Sequence, residues 1–107
     1  MDVPEDILDE AFAVFEEFGP DRRIDRRERL RAELNIQDAD KIEAIMGCMK
    51  EISDTVWALA EQGGEIKLGK QRVRELIREK HPYLKRRGLQ KAMFLVNYFA
   101  WHEGYDK

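Results

Sequence analysis

The sequence predicts an all-α protein, a compact bundle of about five helices in a single domain. Three observations predict it. Apolar residues recur at intervals of three and four along most of the chain, which is the period of a helix rather than a strand. Proline and glycine fall between these runs, where helices must start and stop. The length of 107 residues is near the common size of one domain and can bury a core without disulfides or a structural metal.

The first element is read from "VPEDILDEAFAVFEEFGP", where Ile7, Leu8, Ala11, Phe12, Phe15 and Phe18 share one helical face. Pro4 suits its opening turn, acids complement the helix dipole there, and Gly19-Pro20 ends it. The second, "PDRRIDRRERLRAELN", starts at Pro20 or Asp21 and ends near Asn35. Its apolar arc of Ile24, Leu30 and Leu34 is interrupted by Arg27 and Arg31, whose stems must lie over apolar neighbours, so it docks less firmly than the others.

The third helix, Asp38 to Gln62, is the clearest, with Ile42, Ile45, Met49, Ile52, Val56 and Leu59 alternating three and four apart. That stripe is too short for a coiled coil and reads as the buried face of a bundle helix. Ala44, Gly47 and Cys48 form a small patch where a helix crossing is expected.

"GGEIKLGK", Gly63 to Lys70, reads as a loop with a brief extended piece at Ile66 and Leu68. Helix resumes near Lys70, buries Val73, Leu76 and Ile77, and stops at His81 before Pro82. The last helix begins between Lys85 and Leu89 and runs to His102 or Glu103, with Gly104 as a left-handed cap.

This last helix raises the functional question. Leu89, Ala92, Met93, Val96, Phe99 and Ala100 form a core-facing arc, and one helix needs only one. Opposite it stand Phe94, Tyr98, Trp101 and Tyr105, spaced 4, 3 and 4, with Gln90, Lys91, Asn97 and His102 beside them. Two readings follow: the second face is covered by the same chain, with Trp57 as the covering residue, or it meets a partner. Tyrosine and tryptophan combine large contact area with a polar tip, which suits an interface.

Net charge is −3, but acids and bases are segregated along the chain. Residues 1–18 hold seven acids and no base, residues 65–91 hold ten Lys or Arg against three Glu, and "DRRIDRRERLR" holds six Arg against three acids. The pattern fits an acidic partner or nucleic acid, and equally an internal matching of charge between packed helices. Lys67, Lys70, Arg74, Arg78, His81 and Lys85 recur at helical spacing as a basic stripe, and Arg86, Arg87 and Lys91 crowd the start of the next helix. Helix–turn–helix proteins read bases from that position. Against it, "HPYLKRR" lacks the short glycine-containing turn, the pI is about 5.5, and the acidic first helix would repel phosphate.

Catalytic chemistry is not expected. Ser53, Thr55 and Cys48 all lie on one helix, and Ser53 and Thr55 point apart. Cys48 reads as an inert packed thiol, and being alone it allows no intrachain disulfide. His81 and His102 lie on different helices without zinc-motif spacing and read as helix-terminal side chains favoured by the dipole. No phosphate-binding glycine loop is present, because "GGEIKLGKQ" lacks the required first glycine and the Ser or Thr after Lys70. No cofactor and no metal are expected.

The amino terminus "MDVPEDILDE" is acidic where a secretory signal is basic and then apolar, and no apolar run approaches the ~20 residues of a membrane helix. A cytoplasmic protein is expected, with no membrane contact. The favoured reading is a module that binds another protein or a second copy of itself through Phe94, Tyr98, Trp101, Tyr105 and His102. In one version the partner is acidic and drawn by Arg22, Arg23, Arg26 and Arg27. The alternative is a nucleic-acid-binding domain using Lys70, Arg74, Arg78, Arg86, Arg87 and Lys91.

Overall fold

The computed structural model of the chain describes residues 5–15 and 26–107. Among them are six helices and no strand: α1 (Glu5–Phe15), α2 (Arg26–Leu34), α3 (Ala39–Glu61), α4 (Gly64–Leu68), α5 (Lys70–Lys80) and α6 (Arg87–His102). The Gly19-Pro20 stop, the start of the second helix and the positions of Phe18, Arg22, Arg23 and Ile24 lie outside the described residues.

α3 and α6 form the central pair. α1 packs on both, α2 leans on α1 and α3, and α4 and α5 close the other side. Every residue of the predicted α3 stripe, Ile42 to Leu59, is buried, joined by Met46, Thr55 and Ala60. Asp38 caps this helix, its Oδ1 accepting from the N–H groups of Asp40 (2.9 Å) and Lys41 (3.4 Å). α2 contributes Leu30, fully buried, and ends where Asn35 turns left-handed (φ 53°) so that the Ile36 N–H reaches the Arg31 carbonyl.

The helix crossing expected at Ala44, Gly47 and Cys48 does not occur among the described residues. Gly47 is exposed and a β-carbon there would meet nothing within 4 Å. At about 100° per residue it lies nearly opposite the buried stripe, so its small size has no neighbour to admit. Close approach happens at two other glycines. A β-carbon on Gly64 would stand 3.1 Å from Asn97 Oδ1 and 3.3 Å from Ala100 Cβ, and one on Gly88 would collide with the backbone carbonyl of Asp9.

The predicted loop at Gly63–Lys70 is a short helix, α4, between two glycine turns. Gly63 (φ 100°) and Gly64 (φ 60°) reverse the chain at the end of α3, and Asn97 of α6 accepts from the Glu65 N–H at 3.0 Å, holding the first turn. The glycines therefore punctuate a helix rather than break one. Leu68 packs against the core while Ile66 is left 73% exposed.

α5 buries Val73 and Ile77 with Leu76 half-buried, and Leu84 in the following turn is fully buried. α6 buries Leu89, Ala92, Leu95, Val96 and Ala100, with Met93 and Phe99 half-buried at the margins. Its end is a Schellman cap: Gly104 (φ 78°) lets the Tyr105 N–H reach the Ala100 carbonyl at 2.8 Å and its own N–H reach the Trp101 carbonyl at 3.2 Å.

Candidate functional site

The aromatic side of α6 faces solvent. Phe94 is 56% exposed, Tyr98 38%, Trp101 65% and Tyr105 37%. The described residues do not seal these rings. Trp57 is itself 38% exposed and lies flat on Phe99, with centroids 4.1 Å apart and planes at 10°, so it extends the aromatic surface instead of covering it.

Phe94, Tyr98 and Trp101 form an array centred on Tyr98, whereas Tyr105, expected in the same row, lies past the Gly104 turn that ends α6. Phe94 stacks on Tyr98 at 6.1 Å, His102 stacks on it at 5.7 Å, Trp101 lies tilted at 6.3 Å, and Phe99 meets it edge-on at 5.6 Å. Through Phe99 the array continues to Trp57 on α3. The separations around Tyr98, 5.6 to 6.3 Å, fall in the range of favourable aromatic pairs. Lys91 Nζ sits 5.9 Å from the Phe94 centroid, a cation over the ring face at one end of the row. A shallow depression of about 350 Å³ opens beside Phe94, lined by Ala13, Arg87, Gln90 and Lys91. At the other end His102 Nδ1 lies 3.3 Å from Glu103 Oε1.

The basic residues are arranged differently from a single stripe. Lys67 belongs to α4 and Lys70, Arg74 and Arg78 to α5, where Glu75 and Glu79 share the same shallow surface with Arg74 and Arg78. Arg72 pairs with Glu75 at 3.6 Å. His81 points inward and leaves the stripe altogether. At the start of α6, the N–H groups of Lys85 (2.8 Å) and Arg86 (3.1 Å) both donate to Asp9 Oδ1, and the Arg87 guanidinium pairs with Glu10 at 2.8 Å. The acidic first helix thus answers the basic start of the last one. Two carboxylates set against Lys85, Arg86 and Arg87 reduce the positive potential that would draw a phosphate there.

His81 is not the solvated helix-end side chain that its sequence position suggests. It is 4% exposed, its Nε2 is 2.9 Å from Thr55 Oγ1 and its Nδ1 is 3.2 Å from the Tyr83 hydroxyl. One arrangement satisfies all three groups: Tyr83 O–H donates to Nδ1, Nε2–H donates to Thr55, and Thr55 O–H donates to the Glu51 carbonyl at 3.3 Å. That arrangement needs a neutral imidazole. Burial lowers the His81 pKa, with Lys80 adding to the effect and Glu51 opposing it. Burial likewise pushes Tyr83 up to about 12, helped by Cys48 and Glu51. The Thr55 hydroxyl is thereby both buried and engaged, so its nearness to an imidazole ties α3 to the end of α5 rather than presenting a nucleophile. Cys48 is half-buried and its thiol is pushed up, first by burial and then by Glu51, which disfavours the reactive thiolate. Among the described residues no three His, Cys, Asp or Glu side chains converge to hold a metal ion, and no helix is long and apolar enough to cross a membrane.

Two site features escaped the sequence reading. Phe99 packs against the core, as its place in the core arc predicts, and also carries the array from Tyr98 to Trp57, a second role that periodicity does not show. Asp9 sits between Phe12 and Ala13 on the helical wheel of α1, and an acid on an apolar arc is the signal that could have revealed its capping role. No protein-family profile matches the chain, and no curated protein and no solved structure matches it.

Proposed function

We propose that this chain is a small helical protein-binding module acting in the cytoplasm, whose contact surface is the aromatic face of α6. Phe94, Tyr98, Trp101 and Tyr105 are its anchors, with His102, Lys91 and Trp57 around them. One observation carries the reading: a helix whose opposite face is buried leaves Phe94, Tyr98 and Trp101, arranged against one another, exposed to water, with Tyr105 past the helix end exposed as well. With roughly 150–250 Å² per ring, their combined exposed area with Trp57 is on the order of 350–600 Å². A patch of that size is at the upper end of what monomers expose and is commonly functional. The pairing of Asp9 and Glu10 with the start of α6, and the presence of Glu75 and Glu79 beside Arg74 and Arg78 on α5, support this reading over nucleic-acid binding.

The test is a photo-crosslinking amino acid placed at position 101 or, as control, at position 74, in the cells that make the protein. Adducts to protein are expected from position 101 only, and they should vanish when Tyr98→Ala is added. Adducts from position 74 alone, or heparin retention that falls steeply with salt and depends on Arg74 and Arg78, would replace this reading with the nucleic-acid one.

A further inference from the structure

We infer that the partner of the aromatic face is a protein segment bearing exposed arginine, one guanidinium lying on the open side of Trp57 between the carboxylates of Asp54 and Glu61. This rests on the aromatic face being a protein-binding surface and names the chemistry of what binds there.

The seat is built from α3 and α6 together. Phe99 covers one face of the Trp57 indole, with centroids 4.1 Å apart and planes at 10°, so the 38% of Trp57 that reaches water lies on its other face and its rim. An indole face is the best aromatic site for a cation, and a planar guanidinium stacks on it flat. Asp54 precedes Trp57 by three residues and Glu61 follows it by four, so each carboxylate stands about one helical turn from the indole on the same side of α3. An arginine laid on this ring has an acceptor on either hand. Past Phe99 the surface continues through Tyr98 to Trp101, which gives the rest of the segment an apolar bed.

The charges left unmatched set the sign of the partner. The bases that border the ring row are already engaged, Arg87 with Glu10 at 2.8 Å and Lys91 over Phe94, and they leave little to draw an acidic partner. At the far end His102 and Glu103 answer each other. Asp54 and Glu61 enter no ion pair among the described residues, and Lys50 and Lys67, the bases nearest them along the chain, do not come within ion-pair distance of either. From Lys50 to the end of α3 the charged residues are Lys50, Glu51, Asp54 and Glu61, all exposed, three acids to one base. The Trp57 border of the aromatic face is therefore its negative side.

Arginine fits this border better than lysine. Its five donors lie in the plane that stacks on the ring, so the same group meets the indole with its face and the carboxylates with its edge. An ammonium offers a point charge and no flat surface.

Proton–nitrogen correlation spectra of the full chain, reading the indole N–H signals of Trp57 and Trp101 as assigned with Trp57→Phe, test this against a blocked peptide of alternating arginine and glycine. Matched peptides carry citrulline, the neutral isostere, or glutamate in place of arginine. The arginine peptide is expected to move the Trp57 signal saturably. Affinity should fall roughly tenfold for the citrulline peptide, and roughly threefold or more for the arginine peptide on a chain carrying both Asp54→Asn and Glu61→Gln. Glu33→Gln, which removes an exposed acid on α2, should leave it unchanged. Equal binding of the arginine and citrulline peptides overturns the inference, as does undiminished binding to the doubly substituted chain or a Trp57 signal that no peptide moves. Preference for the glutamate peptide overturns it in favour of an acidic partner, and a Trp57 signal that moves when the protein alone is concentrated does so in favour of a second copy. In each of these cases position-101 adducts to protein still decide separately whether the binding function stands.

Discussion

Asp9 and Gly88 form a single clamp between the first helix and the last: the Asp9 carbonyl stands where a β-carbon on residue 88 would be, while its carboxylate takes the N–H groups of Lys85 and Arg86. Residues almost eighty positions apart thereby fix how α6 enters the bundle, and with it the direction in which the ring row faces.

Gly88→Ala is expected to destabilise the protein by about 1–3 kcal/mol through overpacking against backbone that cannot yield. Helix propensity alone would give the opposite sign, a gain of about 1 kcal/mol. Urea denaturation decides between them. Asp9→Ala should cost about 1–2 kcal/mol as a lost cap, while Asp9→Asn, whose amide oxygen still accepts, should cost less.

Gly47→Ala is expected to stabilise by up to about 1 kcal/mol, because position 47 is helical, exposed and without neighbours that a methyl group could strike. A loss of stability on thermal unfolding would mean that something packs closely there after all.

These two glycines show what could be read from the sequence and what could not. The α3 stripe, the α6 core arc, Asn35 and Gly104 as helix ends, and the stop before Pro82 all depend on residues close in the chain, and periodicity finds them. Gly47 and Gly88 differ only in what lies across from them, which is set by packing between segments far apart. His81 does end α5, as its place before Pro82 suggests, but its burial depends on the approach of Thr55 from α3. Whether the rings of α6 were core or surface was undecidable until the position of Trp57 was known, since the same residue could cover Tyr98 or stack on Phe99.

Acid should weaken the fold through His81. Its pKa is lowered in the folded state, so between the unfolded value near 6.5 and the lower folded value the unfolded chain binds more protons. Stability is therefore full above about pH 6.5 and declines as pH falls below it, levelling once the folded state is protonated too. Denaturation at stepped pH should show this limb in the wild type and a flatter one in His81→Gln.

Alkali should act through Tyr83 with the opposite dependence. Folding raises its pKa from 10 to about 12, so the unfolded phenol ionises first as pH climbs. Stability is present below pH 10 and is lost between about 10 and 12. Tyr83→Phe should remove that part of the loss, and absorbance titration near 295 nm should lose its latest-ionising step.

The exposed rings should matter little to the isolated fold. Phe94→Ala and Trp101→Ala, measured at protein concentrations low enough to exclude association, are expected to change unfolding free energy by less than about 0.5 kcal/mol. Phe12→Ala, which removes a fully buried ring, should cost about 3–5 kcal/mol. Comparable losses at all three positions would mean that the α6 rings serve the core.

The chain's two tryptophans stand in different circumstances, Trp57 on α3 lying flat on Phe99 of α6 and partly exposed, Trp101 far more exposed on the ring row. Their fluorescence divides accordingly. Emission from Trp57 follows the integrity of the helix pair, whereas emission from Trp101 is open to iodide quenching and follows whatever settles on the face. Replacing either indole with phenylalanine isolates the signal of the other, one from the α3–α6 contact and one from the outer end of the ring row.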